Sequence, residues 1–299
     1  MGDIDTAALK ENFALVAGHG PDEVAQYFYS YLFLRYPQTR DMFPPAMTTQ
    51  RDRLVGALVR IVTNVDQVDQ LVPYLQDLGR DHRKFGTLTA HYPAVGEALL
   101  TTLRHFSGPA WTDKLAANWA AAYGGVAGAM SGAAEQIAET EPPYWDAEII
   151  EVDQRTFDIA VLTVRTEEPV PYLAGQSVSV EPTTTRPREW RWYTPANAPG
   201  GLDIELHARL IPGGPVSAAL VRSSTPGDQV RLGPPFGRMT LDSGSRRPLL
   251  MVAGSTGLAP MKAMIGQVAR DGGRRTHLYF GARSEREVYD RKALAALQE

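Results

Sequence analysis

The feature that most restricts how this chain folds is a change of hydrophobic period near residue 141. Before it, apolar residues recur every three or four positions. Val24, Phe28, Leu32 and Phe33 stripe one segment, Leu54, Leu58, Ile61 and Val62 a second, and Val95, Leu99, Leu103 and Phe106 a third. Trp111 to Met130 reads as a long alanine-rich helix. Residues 1–140 carry only 7 of the 22 prolines, as unbroken helices require, with turns expected at HGPD, PPAM and SGPA. "ETEPPYW" (139–145) ends the pattern, because paired prolines cannot continue a helix.

After that linker the period is two. "AEIIEVDQR", "FDIAVLTVRT", "QSVSVEP", "GLDIELHARLI" and "DQVRLGPPFG" read as short strands between Gly and Pro turns, which predicts a small antiparallel barrel. From Pro248 the style changes again. "LLMVAG" and "THLYFGA" read as strands buried on both faces with a helix between them, the βαβ opening of a parallel nucleotide-binding sheet. The expected organisation is therefore an all-α domain over 1–140, an antiparallel β-barrel over 145–245 and a partial α/β (Rossmann-like) domain over 246–299. Domains run to about 100–150 residues, so the third unit is expected to be incomplete in this sequence.

Composition narrows the chemistry. The 299 residues contain no cysteine, which excludes disulfides, thiolate metal sites, Fe–S clusters and thiol catalysis. Metal chemistry must use the six histidines or carboxylates. A net charge of −4 gives no basic footprint for nucleic acid. No apolar run reaches the roughly 18–20 residues of a membrane span. The acidic, amphipathic start does not read as a signal peptide, so the cytoplasm is the default expectation; separately, a monomer is expected.

One histidine stands out. In "LGRDHRKFG", Leu71, Leu75, Leu78, His82 and Phe85 follow helical spacing, so His82 belongs to the apolar stripe. A hydrogen-bonded core histidine and a metal ligand both satisfy that position. Its surroundings, "HRKFGTLTAHYPAVGEALLTTL", together with "YFYSYLFLRYPQTRDMF", "QRDRLVGAL" and "WTDKLAANWAAAYG", resemble the globin domain of the flavohaemoglobins. That resemblance implies a haem b whose iron is ligated by His82. It implies Tyr29 and Gln50 as donors to oxygen, Leu54 as the residue crowding the ligand, and Phe43 stacking on the porphyrin. It also implies that Tyr92 and a glutamate, here Glu135, tune His82 from the proximal side. A neutral imidazole is a strong axial ligand that leaves the sixth position open.

"RWYTPANAP" (191–199) resembles the Arg-x-Tyr-Ser/Thr motif of ferredoxin-reductase-like flavoproteins. An FAD is implied, with Arg191 on a phosphate, Tyr193 beside the ring and Thr194 at its reactive edge. In "IPGGPVSAALV", Gly214, Val216 and Ser217 fall at a turn entering a helix, where free N–H groups and the Ser217 hydroxyl suit a pyrophosphate. "LLMVAGSTGLAPMKAM" resembles the same family's Gly-x-x-Gly-x-x-Pro turn through Gly254, Gly257 and Pro260. After the next strand, Arg283 and Ser284 stand where an adenosine 2′-phosphate could be gripped, which would favour NADPH over NADH, although a solvated charge run reads equally well.

The order globin, FAD barrel, nicotinamide sheet resembles flavohaemoglobin along the whole chain. It implies nitric oxide dioxygenation, with O2, nitric oxide and NAD(P)H as small-molecule partners. Two alternatives stay open. One is a haem-linked NAD(P)H reductase acting on a hydroperoxide or quinone, and the other is a non-enzymatic sensor of O2 or nitric oxide.

Overall fold

The computed structural model describes residues 4–297. It divides into two compact units, residues 1–143 and 144–299.

The first unit is helical. It comprises α1 (Thr6–Ala17), α2 (Pro21–Arg35), α3 (Thr48–Thr63), α4 (Val68–His82), α5 (Tyr92–Ser107) and α6 (Asp113–Ala138). Local chemistry sets the starts. Asp5 caps α1 by accepting from the Ala8 N–H at 3.0 Å, Pro21 opens α2, and Thr112 caps α6 by accepting from the Leu115 N–H at 3.2 Å. The stripes converge on one core in which Leu9, Val16, Phe28, Leu32, Leu99 and Leu103 are buried. A buried polar chain ties α1 to α5 and α6. Trp119 Nε1 donates to Asn12 Oδ1 at 2.9 Å, and Asn12 Nδ2 donates to Ser107 Oγ at 2.8 Å. Gly79 lets α4 lie against α6, because a Cβ there would strike the Met130 backbone.

The second unit begins with β1 (Trp145–Gln154), β2 (Ile159–Thr166), β3 (Val178–Pro182), β4 (Arg191–Tyr193), β5 (Asp203–Arg209) and β6 (Gln229–Leu232). These form a six-stranded antiparallel sheet in the order β4-β3-β6-β1-β2-β5. A bridge between Pro195 and Leu206 brings its two edges together, so the barrel is nearly closed. Ile149, Leu162, Ile204, Leu206 and Leu232 fill the interior. Between β5 and β6, α7 (Pro215–Ala218) makes one turn and then widens over Ala219–Ser223, where the Ser224 N–H reaches back to the Ala219 carbonyl. The helix expected near Ser217 is thus a short, irregular one.

The parallel pair β7 (Leu249–Gly254) and β8 (Thr276–Gly281) flanks α8 (Leu258–Arg270), and α9 (Arg291–Ala296) follows. Here the expectation of strands buried on both faces needs correction. Met251 and Ala253 are buried, whereas Leu250 and Val252 are each 70% exposed and Tyr279 is also exposed. Buried and exposed positions alternate along both strands. Successive side chains of a strand point to opposite faces, and Met251 packs with Met264 and Ala263 of α8.

Candidate functional site

In the helical unit, Tyr29 comes from the middle of α2 and is buried. Its ring meets Phe28, Phe33 and Phe43 at centroid distances of 5.0, 5.6 and 5.4 Å. Gln50, in the first turn of α3, donates from Nε2 to Tyr29 Oη at 3.1 Å. The Tyr29 hydroxyl accepts this bond and keeps its own proton for a second acceptor. Burial pushes its pKa up to about 12, against a smaller lowering by Gln50, so it is a neutral donor at any physiological pH. Leu54, one turn beyond Gln50, joins Phe28, Leu58 and Leu103 around a narrow apolar cavity of about 20 Å³. Phe43 follows the short turn Pro37–Met42 and also packs edge-on against Phe33.

His82 is the last residue of α4. Its Nδ1 lies 2.7 Å from the Leu78 carbonyl, one turn back. A carbonyl only accepts, so Nδ1 carries the proton and the Nε2 lone pair is left over. Desolvation lowers the ring's pKa, more than the Leu78 bond and Asp81 raise it, which favours the neutral imidazole. Arg80 Nε and Arg83 Nη1 are buried without a hydrogen-bond partner on either side of His82 in sequence. The proximal partner differs from expectation. Glu135 accepts from Thr89 Oγ1 at 2.5 Å, and the nitrogen assigned to it is already held by Leu78. Burial raises the Tyr92 pKa, while its carbonyl accepts from Tyr123 Oη at 2.6 Å.

In the barrel, Arg191 and Tyr193 lie on β4 and Thr194 just beyond it. Arg191 donates to the Trp190 carbonyl at 2.9 Å and has no carboxylate partner among the described residues. Burial pushes the Tyr193 hydroxyl up to about 12, against a smaller lowering by Arg191. Thr194 Oγ1 lies 2.8 Å from Ser177 Oγ, a residue the sequence did not single out. Ser177 pairs with Phe236 through the backbone, so the turn over residues 174–176 and the GPPFG turn (233–237) meet beside Thr194. Gly175 has φ 98° there, and a Cβ would strike the Met239 carbonyl. The hydroxyl of Ser217 is already engaged. It donates to the Gly214 carbonyl and accepts from the Ile211 N–H, each at 3.1 Å. Val216 is fully buried in the barrel core, so only backbone N–H groups of this turn are left for a ligand.

A cleft of about 470 Å³ opens at the carboxyl ends of β7 and β8. Thr156, Asp158 and Arg209 line it from the barrel, Gly254 and Ser255 from the turn after β7, and Arg283 and Glu287 from the turn after β8. Ligands of parallel sheets bind at this end. A Cβ at Gly257 would meet nothing within 4 Å, so that turn is open to close backbone approach. Pro260 is buried in the first turn of α8, where an N–H would lack a partner anyway. Arg209 donates to Asp158 at 2.9 Å and to Ser255 Oγ at 2.8 Å. Arg283 pairs with Glu287, while Ser284 starts the short turn between them.

Sequence reasoning also missed a buried polar network between β5 and α8. His207 on β5 touches Tyr289 Oη through Nδ1 and Glu205 Oε1 through Nε2, each at 2.6 Å. Lys262 on α8 reaches Glu205 at 2.7 Å and Asp290 at 2.5 Å, and Arg155 reaches Asp290 at 3.0 Å. Burial would raise the Glu205 pKa, but His207 and Lys262 together hold it down to about 2. Glu205, His207 and Asp290 are close enough to share a metal ion, yet the Lys262 ammonium already bridges the two carboxylates. The alternation of "DIELHAR" was readable, but partners 57 and 82 residues away were not.

Comparisons with known proteins agree with this layout. Residues 26–130 match the globin model, 146–241 the oxidoreductase FAD-binding domain and 251–299 the oxidoreductase NAD-binding domain. The chain is therefore an oxidoreductase that joins a globin to an FAD-binding and NAD-binding module. It has the domain order of the flavohaemoglobins and is similar to flavohaemoproteins over nearly all of its length. It is 29% identical to that of Bordetella parapertussis over 297 residues, covering 93% of this chain and 74% of that one. It is 26% identical to that of Bacillus subtilis over 272 residues, covering 86% and 67%. A flavohaemoglobin from Malassezia yamatoensis, solved with bound FAD and haem, shares the fold at a TM-score of 0.80 and 18% identity, covering 98% of this chain and 80% of that one. Among the described residues no helix is long and apolar enough to cross a membrane.

Proposed function

We propose that this chain supports nitric oxide dioxygenation, in which NAD(P)H provides electrons and O2 and nitric oxide are converted to nitrate. The observation that carries the reading is the hydrogen bond from Gln50 to Tyr29 in a globin domain that shares its chain with an oxidoreductase module.

The residues suit the groups the reading needs. His82 offers a neutral imidazole with Nε2 available, which fits haem iron. Arg80 and Arg83 offer buried N–H donors without acceptors, which fits an anionic substituent such as a haem carboxylate. Arg191, with no carboxylate partner among the described residues, suits an FAD phosphate, and Tyr193 offers an aromatic face. When bound, FAD supplies the change from a two-electron hydride to single electrons, and haem supplies a one-electron centre that takes up O2.

The chain's own residues would do the rest. Tyr29 holds its proton toward an oxygen-bearing ligand, and Gln50 fixes the direction of that hydroxyl. Phe28, Phe33 and Phe43 exclude water around it, which strengthens the hydrogen bond. The Leu78 carbonyl orients the His82 ring and keeps its tautomer fixed. At the cleft beyond β7, the backbone of Gly254 in its lining and of Gly257 in the turn that follows would admit the nicotinamide end of NAD(P)H.

The test is nitric oxide consumption by the purified chain supplied with haem and FAD. The reading expects consumption that needs both O2 and NAD(P)H and yields nitrate. Consumption without O2, or none under any condition while a hydroperoxide is reduced, would replace it.

A further inference from the structure

We propose that Glu287 makes the cleft beyond β8 selective for NADH, whose adenosine ribose keeps a free 2′-hydroxyl, over the 2′-phosphorylated NADPH. This rests on reading that cleft as the dinucleotide site.

The turn after β8 brings an arginine, the usual partner of a 2′-phosphate, and spends it on a carboxylate. Arg283 donates to Glu287 through Nε at 3.1 Å and lies 3.0 Å from it through Nη2, a two-pronged pair. Both residues line the cleft. The second arginine of the cleft, Arg209, is held by Asp158 at 2.9 Å, so each cation there has its own anion. Beyond the cleft lining, Arg291 is likewise paired with Glu285 at 2.8 Å, and Arg286 is exposed. A 2′-phosphate brings about two negative charges and would have to displace Glu287 or sit against it. A ribose hydroxyl is instead a donor, and a carboxylate is its natural acceptor. The same division, acid for the diol and arginine for the phosphate, sorts dinucleotide sites in general.

The probes are 5′-AMP and 2′,5′-ADP, which differ only in the 2′-phosphate, titrated calorimetrically into the purified 299-residue protein. We expect 5′-AMP to bind about tenfold more tightly, and Glu287→Gln to erase most of that ratio by strengthening 2′,5′-ADP. Arg283→Ala frees the carboxylate and is expected to widen the ratio. Both positions are solvent-facing, so neither change removes core packing. Tighter binding of 2′,5′-ADP by the unaltered protein, or a ratio unmoved by Glu287→Gln, overturns the proposal and leaves the dinucleotide reading standing. Failure of both nucleotides to bind overturns that reading and the proposal with it.

Discussion

Gln50 Nε2 donates to Tyr29 Oη across 3.1 Å, joining the first turn of α3 to the middle of α2. The bond sits against aromatic rings and leaves the tyrosine proton unused by Gln50. A phenol in this state is a strong, fixed donor to an oxygen ligand.

Replacing Tyr29 with Phe removes that donor and keeps the ring. The reduced, haem-loaded variant is expected to lose O2 at least about tenfold faster, as one hydrogen bond of roughly 1.5 kcal/mol implies. Stopped-flow displacement of O2 by carbon monoxide measures it. An unchanged rate would remove Tyr29 from the oxygen-binding role.

His82→Ala is expected to abolish histidine ligation of haem while the helices remain folded. Added imidazole should restore the five-coordinate reduced spectrum, because the pocket loses only the ring. A variant that still shows a histidine-bound spectrum without imidazole would move the ligand elsewhere.

Gly79→Ala places a methyl group against the Met130 backbone, which has no side chain to swing away. The helical unit should lose about 1–3 kcal/mol, read from chemical denaturation followed by helix signal. Loss of less than about 0.5 kcal/mol would mean that α4 and α6 separate easily.

The pair of Glu205 with His207 and Lys262 makes the second unit acid-sensitive. The folded pKa of Glu205 lies near 2, below its ordinary 4.5, so its contribution is present above about pH 4.5 and is lost as pH falls toward 2. The displacement corresponds to on the order of 3 kcal/mol. Glu205→Gln should flatten this part of the stability-against-pH curve for the unit, measured by urea unfolding followed through barrel tryptophans. A curve with the same slope in the variant would assign the acid sensitivity to other carboxylates.

Most of the helical unit and the barrel was legible in the sequence, because burial on one face writes a period of 3.6 or 2 into the residues. The motif RWYT and the position of His82 at the end of an apolar stripe were legible for the same reason, since each is local. Partnership was not. Glu135 was placed by resemblance alone, and its carboxylate accepts from Thr89. Ser217 carried the right hydroxyl at the right turn, yet the short α7 folds that hydroxyl onto Gly214.

The sequence by itself therefore determined the order of the units, the class of each and the short motifs that single out Tyr29, His82 and Arg191 as candidates. Only the tertiary structure decided which atoms meet. It brought the barrel's two edges together at Pro195 and Leu206, gave His207 its partners Glu205 and Tyr289, and spent Arg283 on Glu287. The physical reason is range. Periodicity and turn chemistry act over a few residues, whereas hydrogen bonds and ion pairs depend on distances of about 3 Å between groups that the chain brings together only by folding.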